Sequence, residues 1–426
     1  MVRFIHAADI HLDSPMSKLN LYEGAPLDEI RGASRRAFSN LIDAAIDHDV
    51  DFVVIAGDLY DGNWRDHNTG LFFCHQVQRL RKAEIPLYFI AGNHDAENKM
   101  TNALPLPANP DGSAMQLSSQ EVESIELHDL GVVLHGRGFR NQAETDNLAL
   151  GYPTARTEML NIGMLHTSLQ GASGHATYAP CTPQQLTDKG YDYWALGHIH
   201  QRADRSIDPS CPVVFPGNIQ GRHVGECGPK GCMLVELGQR GPAKLEFIPL
   251  DVSRWHVCTI DATNLSRPDD MLAAFGDKLS ESLTANPEHT LIVRVVLSGQ
   301  CSFHAELISR HEHWQSTLRQ MTFEYHQGRI WMEQLKITTN PLVASDIEID
   351  DDSLGEMAQI LKFVASDDTF QELVRQSLRP LAEKLPPEIV GTEEGISLSD
   401  VEQVRALIND AQPILMRRLS GQEVGS

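Results

Sequence analysis

The chain has 426 residues, 41% hydrophobic and 22% charged, the composition of an ordinary globular protein of two or three domains. Its formal net charge of −23 argues against a broad basic surface that would hold nucleic acid unaided. No apolar run approaches the ~20 residues that span a bilayer, and seven scattered cysteines argue against a disulfide framework.

The opening residues, MVRFIHAADIHLDS, lack the basic start and long apolar stretch of a signal peptide. They read as a strand entering a polar loop, and the cytoplasm is the expected location. Over the first ~250 residues short apolar runs alternate with polar loops and helical stretches. Strands are expected at 2–9, 51–58, 86–93, 131–139, 160–168 and 191–198, and helices at 31–48 and 68–83. In the second helix Leu71, Phe72, His75, Val77 and Leu80 supply an apolar face. Further strands at 212–218, 231–238 and 243–250 continue the pattern, which is that of an α/β chain whose sheets bury both faces. His6 and His135 lie inside strands and read as packed side chains. Cys227 and Cys232 stand close together in CGPKGC, but a zinc knuckle needs a second pair, so they read as structural thiols.

After Leu250 the pattern changes. Strands at 255–262, 290–299 and 329–338, with helical stretches at 268–284 and 304–319, predict a small α+β domain spanning 251–344. Residues 345–353, SDIEIDDDS, read as an acidic linker. The remainder of 345–426 reads as helical. Leu354, Met357, Leu361 and Val364 repeat at helical spacing. Ser399 and Glu402 form a capping box ahead of a stripe of Val401, Val404, Ile408, Ala411 and Leu415. Two readings fit these helices equally: packing on their own domain, or docking on another protein's helices.

Five motifs each close an expected strand. They are ADIHLDS (Asp9, His11), AGDLYDG (Asp58), AGNHDAE (Asn93, His94), MLHTS (His166) and LGHIH (His198, His200). In open α/β sheets ligands bind outside the carboxyl ends of the strands, so all five point at one rim. Carboxylate, amide and imidazole are donors that suit Mn, Fe or Zn. Glycines at 57, 92 and 197 precede the donors and let the backbone turn sharply. Each motif alone is weak, since a lone strand histidine is usually packed and a lone GD is usually a turn. Asp9, His11, Asp58, Asn93, His166, His198 and His200 together, seven donors at five strand ends, are a different matter. One zinc-like ion takes about four protein ligands. Seven suit two ions that share a carboxylate, the arrangement that activates a water and clamps the oxygens entering and leaving phosphorus. Residues two apart on an extended strand share a face, so His198 and His200 are expected to enter one pocket.

The order D-x-H, GD, GNH, H and GHxH resembles the calcineurin-like metallophosphoesterase superfamily. HAADIHLDSP, AGDLYDG, AGNHD and LGHIH are closer still to the SbcD-type DNA repair exonucleases, and YAPC (178–181) with FPGNIQGRHVGECGPKGC (215–232) resembles their bacterial YhaO-like branch. The resemblance is strong over 1–250 and covers the capping region in outline. It implies a two-sheet sandwich flanked by helices, then an α+β capping domain and C-terminal helices. It implies that Asp9, His11, Asp58 and His200 hold one metal and Asp58, Asn93, His166 and His198 the other, with manganese the expected ion and iron or zinc the alternatives. His94 resembles the family's catalytic histidine. Asp95 could orient the His94 ring, or the two could be an ordinary surface pair. Arg222 and His223 could touch substrate phosphate or belong to a structural loop. Asp13 and Asp61 could support ligands or be solvated turn residues.

The function implied is a 3′-to-5′ DNA exonuclease that dimerises and works with an SMC-like ATPase, whose help would explain how an acidic chain reaches DNA. Two further readings stand beside it. One is a phosphodiesterase or phosphatase on small nucleotides, which the net charge favours. The other is a non-catalytic subunit of an ATPase complex, against which His94 and the full donor set speak.

Overall fold

The computed structural model describes residues 1–14, 32–61, 67–97, 106–169, 178–238, 242–326, 328–342 and 367–382, with isolated positions at 360, 363, 400, 403–405, 407, 408 and 411. Contacts gather into two units. The first is Met1–Val257 with Leu283–Arg294 and Tyr325–Glu333; the second is Cys258–Ser282, Val295–Glu324 and Gln334–Ser426.

The first unit holds two sheets. In chain order its elements are β1 (Val2–Ala7), α1 (Ala33–Asp47), β2 (Phe52–Ala56), α2 (His67–Lys82), β3 (Leu87–Ile90), α3 (Asn93–Glu97), β4 (Glu123–Leu127), β5 (Val132–Arg137), β6 (Leu160–His166), α4 (Pro183–Thr187), β7 (Tyr193–Gly197), β8 (Ala203–Asp204), β9 (Val213–Phe215), β10 (Gly231–Leu237) and β11 (Lys244–Pro249). One sheet runs β11-β10-β1-β2-β3 and the other β4-β5-β6-β7-β9-β8. Strands β1, β2 and β3 are mutually parallel, as are β5, β6, β7 and β9.

Both sheets are covered on both faces, which is why their central strands read as continuous apolar runs. The pleat divides each strand between two cores. Phe4, Phe52, Val54, Tyr88 and Ile90 pack between the sheets against Ile162, Met164, Tyr193 and Ala195. Ile5, Val53, Ile55 and Phe89 face the other way, onto Phe38 and Leu41 of α1 and Phe73 and Leu80 of α2. Leu165, Trp194 and Leu196 fill the outer core of the second sheet with Leu186.

Helix α2 departs from the expected face. Leu71 and His75 are exposed, while Thr69, Phe73, Gln76, Val77 and Leu80 are buried. Phe73 meets Phe38, Tyr60 and Phe89 ring to ring, and this aromatic seat rotates the helix away from Leu71.

His6 and His135 are packed. His135 bonds to Ser124 and Asn161 and stacks on Tyr191. His6 lies in the layer between the sheets, 2.9 Å from the Tyr193 hydroxyl through Nδ1 and 3.2 Å from the Leu196 carbonyl through Nε2. A single neutral tautomer satisfies both, with Nε2–H donating and Nδ1 accepting. Burial pushes this imidazole from 6.5 down to about 3, against the opposing pull of the Leu196 carbonyl. The unfolded chain therefore binds a proton that the folded chain refuses. The stabilising contribution is complete above pH 6.5 and is lost as pH falls toward 3. Between pH 7 and 4.5 the loss is about 2–3 kcal/mol. His6→Gln keeps one donor and one acceptor without the titration, so urea unfolding at the two pH values is expected to differ less for the variant by that amount. An equal difference in both proteins would contradict this assignment.

Beyond the first unit's core the chain forms β12 (Ser253–Asp261), α5 (Pro268–Ala285), β13 (Thr290–Ser298), β14 (Gln300–Cys301), α6 (His304–Ser309), α7 (His311–His326), β15 (Ile330–Ile337), β16 (Asn340–Pro341) and α8 (Asp368–Ala382). Strands β12, β13 and β15 make a three-stranded sheet in that order. Helix α5 begins on proline with Asp269 and Asp270 in its first turn and buries Met271, Phe275 and Leu279. The helical span expected at 304–319 is two helices, broken at Arg310, whose φ of −121° and ψ of 34° leave the helical region. The acidic stretch 345–353, the stripe from Leu354 to Val364 and the Ser399–Glu402 capping box lie outside the described residues, apart from positions 360 and 363. Val404 is buried, and on α8 Phe370 and Leu373 are exposed. All seven cysteines are free thiols. Among the described residues no helix is long and apolar enough to cross a membrane.

Candidate metal centre

The five motifs follow β1, β2, β3, β6 and β7, and their side chains meet at one rim of the first unit. The backbone does unusual work here. Asp9, His11, Asp58 and His198 have φ of 52°, 44°, 53° and 95°, in the left-handed region that non-glycine residues rarely adopt. Gly57 and Gly92 make room for this. A Cβ on Gly57 would strike the His166 ring, and one on Gly92 would strike the Asp58 carboxylate.

Asp58 is central. Its Oδ2 lies 3.4 Å from His166 Nε2 and 3.7 Å from His11 Nε2, and its Oδ1 accepts the His94 amide at 2.9 Å. Burial pushes this carboxyl up, but His166, His11 and His94 together outweigh burial and hold it well below the usual range. Burial raises Asp9, whose two oxygens accept the His198 amide at 3.0 and 3.1 Å. His166 donates Nδ1–H to the Ala56 carbonyl at 2.9 Å, leaving Nε2 for Asp58 and, at 3.0 Å, the Asn93 side-chain oxygen. Burial lowers His166, but Asp58 and Asp9 raise it further, to about 9. A field that favours a proton at that nitrogen equally favours a metal cation.

His11 Nε2 and His200 Nε2 face each other at 3.2 Å. Each ring's other nitrogen faces a carboxylate, Asp61 Oδ1 at 3.4 Å from His11 Nδ1 and Glu226 Oε1 at 2.6 Å from His200 Nδ1. Carboxylates accept and do not donate, so His200 Nδ1 carries the ring hydrogen and its Nε2 turns a lone pair toward His11. His11 Nδ1 makes no hydrogen bond, so its Nε2 is equally able to offer a lone pair to a cation. Two nitrogens each about 2.0–2.1 Å from one zinc-like ion lie about 3.0–3.4 Å apart, so the observed spacing fits a shared ion. Among the described residues three groups have donor atoms mutually within 4.8 Å: Asp9, His11 and His200; His11, Asp58 and His94; and Asp9, Asp58 and His166.

The two histidines of LGHIH do not share a strand face as expected. Strand β7 ends at Gly197, and the positive φ of His198 turns the chain, so the rings part. His198 lies edge-on to His166 and Tyr178, and His200 edge-on to His11.

Residues 2–202 match the family described as calcineurin-like phosphoesterase, and residues 255–340 match that described as the middle domain of metallophosphoesterase YhaO. An uncharacterised metallophosphoesterase YhaO of Bacillus subtilis is 33% identical over 304 residues, covering 70% of this chain and 71% of that protein. The chain belongs to the calcineurin-like phosphoesterase family. More distant relatives of this phosphoesterase are named DNA double-strand break repair protein Mre11. The one from Sulfurisphaera tokodaii is 26% identical over 310 residues, covering 70% of this chain and 74% of its own. The one from Methanopyrus kandleri is 21% identical over 422 residues, covering 93% and 86%. This phosphoesterase is a metal-dependent hydrolase. Calcineurin-like phosphoesterases use a dinuclear divalent metal centre, and the groups just described are the candidates to hold it.

The residues around these donors depart from expectation. Asp95 does not orient His94. Its Oδ2 accepts from Leu59 N and Gly92 N and its Oδ1 from Tyr60 N, at 3.1, 3.0 and 2.8 Å, so it ties the GDLY loop to the start of α3. Burial and the Asp58 charge push it up to about 6, against those three amides. Neighbouring residues on a helix point about 100° apart, so Asp95 turns inward where His94 turns out. Asp61 is the partner instead, 2.9 Å from His94 Nδ1, and also accepts the Ser14 hydroxyl at 2.6 Å. Burial raises Asp61, but the nearby His11 and His94 rings and the Ser14 hydroxyl hold it well below the usual range. Burial lowers His94, and Asp61 and Asp58 more than reverse this.

Asp13 takes neither expected part. Arg35 grips it through Nε at 2.7 Å and Nη2 at 2.5 Å, and Thr69 at 2.5 Å, pinning α1 to α2. Arg222 does reach the rim, 3.3 Å from Ser14 Oγ and 3.3 Å from His200 Nδ1. His223 lies at the margin, half exposed, accepting the Gly225 amide at Nδ1 and facing Glu226 at 3.3 Å. Glu226 itself was missed. Its one signal is an acidic residue in an otherwise glycine-rich loop, GRHVGECG, which does not say that it faces His200.

Proposed function

We propose that this phosphoesterase hydrolyses phosphodiester bonds in DNA as a cytoplasmic, manganese-dependent 3′-to-5′ exonuclease that dimerises and works with an SMC-like ATPase. The observation that carries the reading is the seven-donor rim with the His94 ring held beside it by Asp61. The relatives named for double-strand break repair support the choice of DNA.

When bound, a pair of divalent ions supplies Lewis acidity at the phosphate and a nucleophile at neutral pH. Asp9, His11, Asp58 and His200 would hold one, and Asp58, Asn93, His166 and His198 the other. Asp61 engages His94 at Nδ1, so Nε2 is the atom offered to substrate, where it delivers a hydrogen to the departing 3′ oxygen. The Arg222 guanidinium, 3.3 Å from Ser14 Oγ, would meet a non-bridging phosphate oxygen. An acidic chain needs a positive partner to approach DNA, and the exposed Phe370 and Leu373 of α8 offer an apolar contact for the ATPase's helices.

The net charge of −23 favours a second reading, hydrolysis of small phosphodiesters. Purified protein with Mn²⁺ is offered end-labelled linear duplex, single-stranded DNA and bis-p-nitrophenyl phosphate. Shortening of DNA from 3′ ends is expected. Hydrolysis of the dye ester with both DNAs left intact, the ATPase present, would overturn the DNA reading and support the second.

A further inference from the structure

The loop from Gly217 to Lys230 closes around His200 from several sides. Asn218 N and Lys230 Nζ both donate to the His200 carbonyl, at 3.3 and 3.1 Å. Glu226, buried in a short 3-10 turn (Val224–Glu226), reaches ring Nδ1 at 2.6 Å, much closer than the Arg222 Nη2 donor at 3.3 Å, so the carboxylate governs that nitrogen. Its other oxygen, Oε2, accepts from Asn218 Nδ2 at 2.9 Å and from the Arg222 backbone N–H at 2.7 Å. Asn218 Nδ2 also donates to the Gln220 carbonyl at 2.9 Å, so that amide is locked in one orientation.

We infer that Glu226 is a positioning residue of the metal centre: it fixes which nitrogen of His200 carries the ring hydrogen, and so keeps Nε2 bare toward His11. The inference rests on the metallophosphoesterase reading of the rim. Carboxylates that hold a ligating histidine by its far nitrogen orient the ring and strengthen its donor atom.

The geometry dictates what a one-atom change does. In Glu226→Gln the side chain keeps its shape but has one oxygen and one NH₂. The Oε2 position faces a backbone N–H and a locked amide, neither of which can become an acceptor, so the Gln oxygen belongs there. The NH₂ then faces His200 Nδ1. Two donors cannot meet at 2.6 Å, and the exposed His223 at 3.3 Å can turn aside, so the buried contact is relieved by the His200 imidazole, whose hydrogen moves to Nε2. His200 then presents N–H, not a lone pair, to His11.

The test has two readouts besides activity. In the metal-free protein, ¹⁵N shifts of the His200 ring are expected to report the Nδ1–H tautomer in the wild type and Nε2–H in Glu226→Gln. Titration with Mn²⁺ is expected to give two sites in the wild type, one of them weakened about 10–100-fold in the variant. Gln220→Ala loosens the same loop through bonds to Ser253 and Val252, with no side-chain contact to Glu226 or His200, and is expected to lose stability while retaining both sites at wild-type affinity. Unchanged tautomer and unchanged affinity in Glu226→Gln would overturn the inference. So would equal weakening in Gln220→Ala, which would make the loop and not the carboxylate responsible. If Glu226→Gln does not fold, the wild-type tautomer alone decides: Nε2–H at His200 refutes it. Absence of metal binding by the wild type would be a failure of the underlying reading, visible as such in the same titration.

Discussion

His94→Gln binds two equivalents of Mn²⁺ with wild-type affinity and loses about 10²–10⁴-fold in kcat toward bis-p-nitrophenyl phosphate, the range that a positioned acid contributes. The expectation follows from where the ring stands. His94 belongs to α3, which starts at Asn93, and its backbone amide, not its imidazole, braces Asp58. Glutamine preserves that amide and so preserves the donors beneath. Its side chain has no proton to give at neutral pH. Asp61→Asn is the informative companion. It removes the carboxylate 2.9 Å from His94 Nδ1 and is expected to lose less, since the ring remains but is no longer held. Asp61 also lies 3.4 Å from His11 Nδ1, so a modest weakening of one metal site accompanies it. A His94→Gln protein with wild-type kcat on the dye ester would remove His94 from the chemistry.

Asp58→Asn is expected to lose at least about 10³-fold in activity, and for a different reason. The side-chain oxygen of the variant stays with the His94 amide, which can only donate. The NH₂ then points at His11 and His166, the two rings within 3.7 Å and 3.4 Å of the present Oδ2. A donor thus replaces the acceptor between the two candidate half-sites, and both lose affinity. Thermal melting gives the cleaner measurement. Metal at about 100 times its Kd stabilises a folded protein by roughly 2.7 kcal/mol per site. Removing metal with EDTA should therefore lower the Tm of the wild type and leave that of Asp58→Asn almost unmoved. A variant that still gains the full wild-type increment from metal would contradict the central position of Asp58.

Much of the framework was legible because it rests on short-range rules. The apolar runs that became β1, β2, β3, β6 and β7 are buried on both faces and therefore nearly uninterrupted. The donors that follow them had to be at the rim once the strands were parallel. The face of α2 was misread because Leu71 and Phe73 are both apolar, and only the ring contacts of Phe73 with Phe38, Tyr60 and Phe89 choose between them. The helical span after His304 was read as one because nothing at Arg310 forbids helix; its backbone turns there in the folded chain.

By itself, the sequence determined the kinds of donor, their order and the strand ends that carry them, since residue type and hydrophobic period are local properties. Only the tertiary structure decided which carboxylate serves which imidazole. Asp95 adjoins His94 yet binds backbone amides, while Asp61 and Glu226 come from separate loops to hold His94 and His200. A hydrogen bond is set by distance and direction in space, and adjacency along the chain fixes neither once the backbone turns through the left-handed conformations of Asp9, His11, Asp58 and His198.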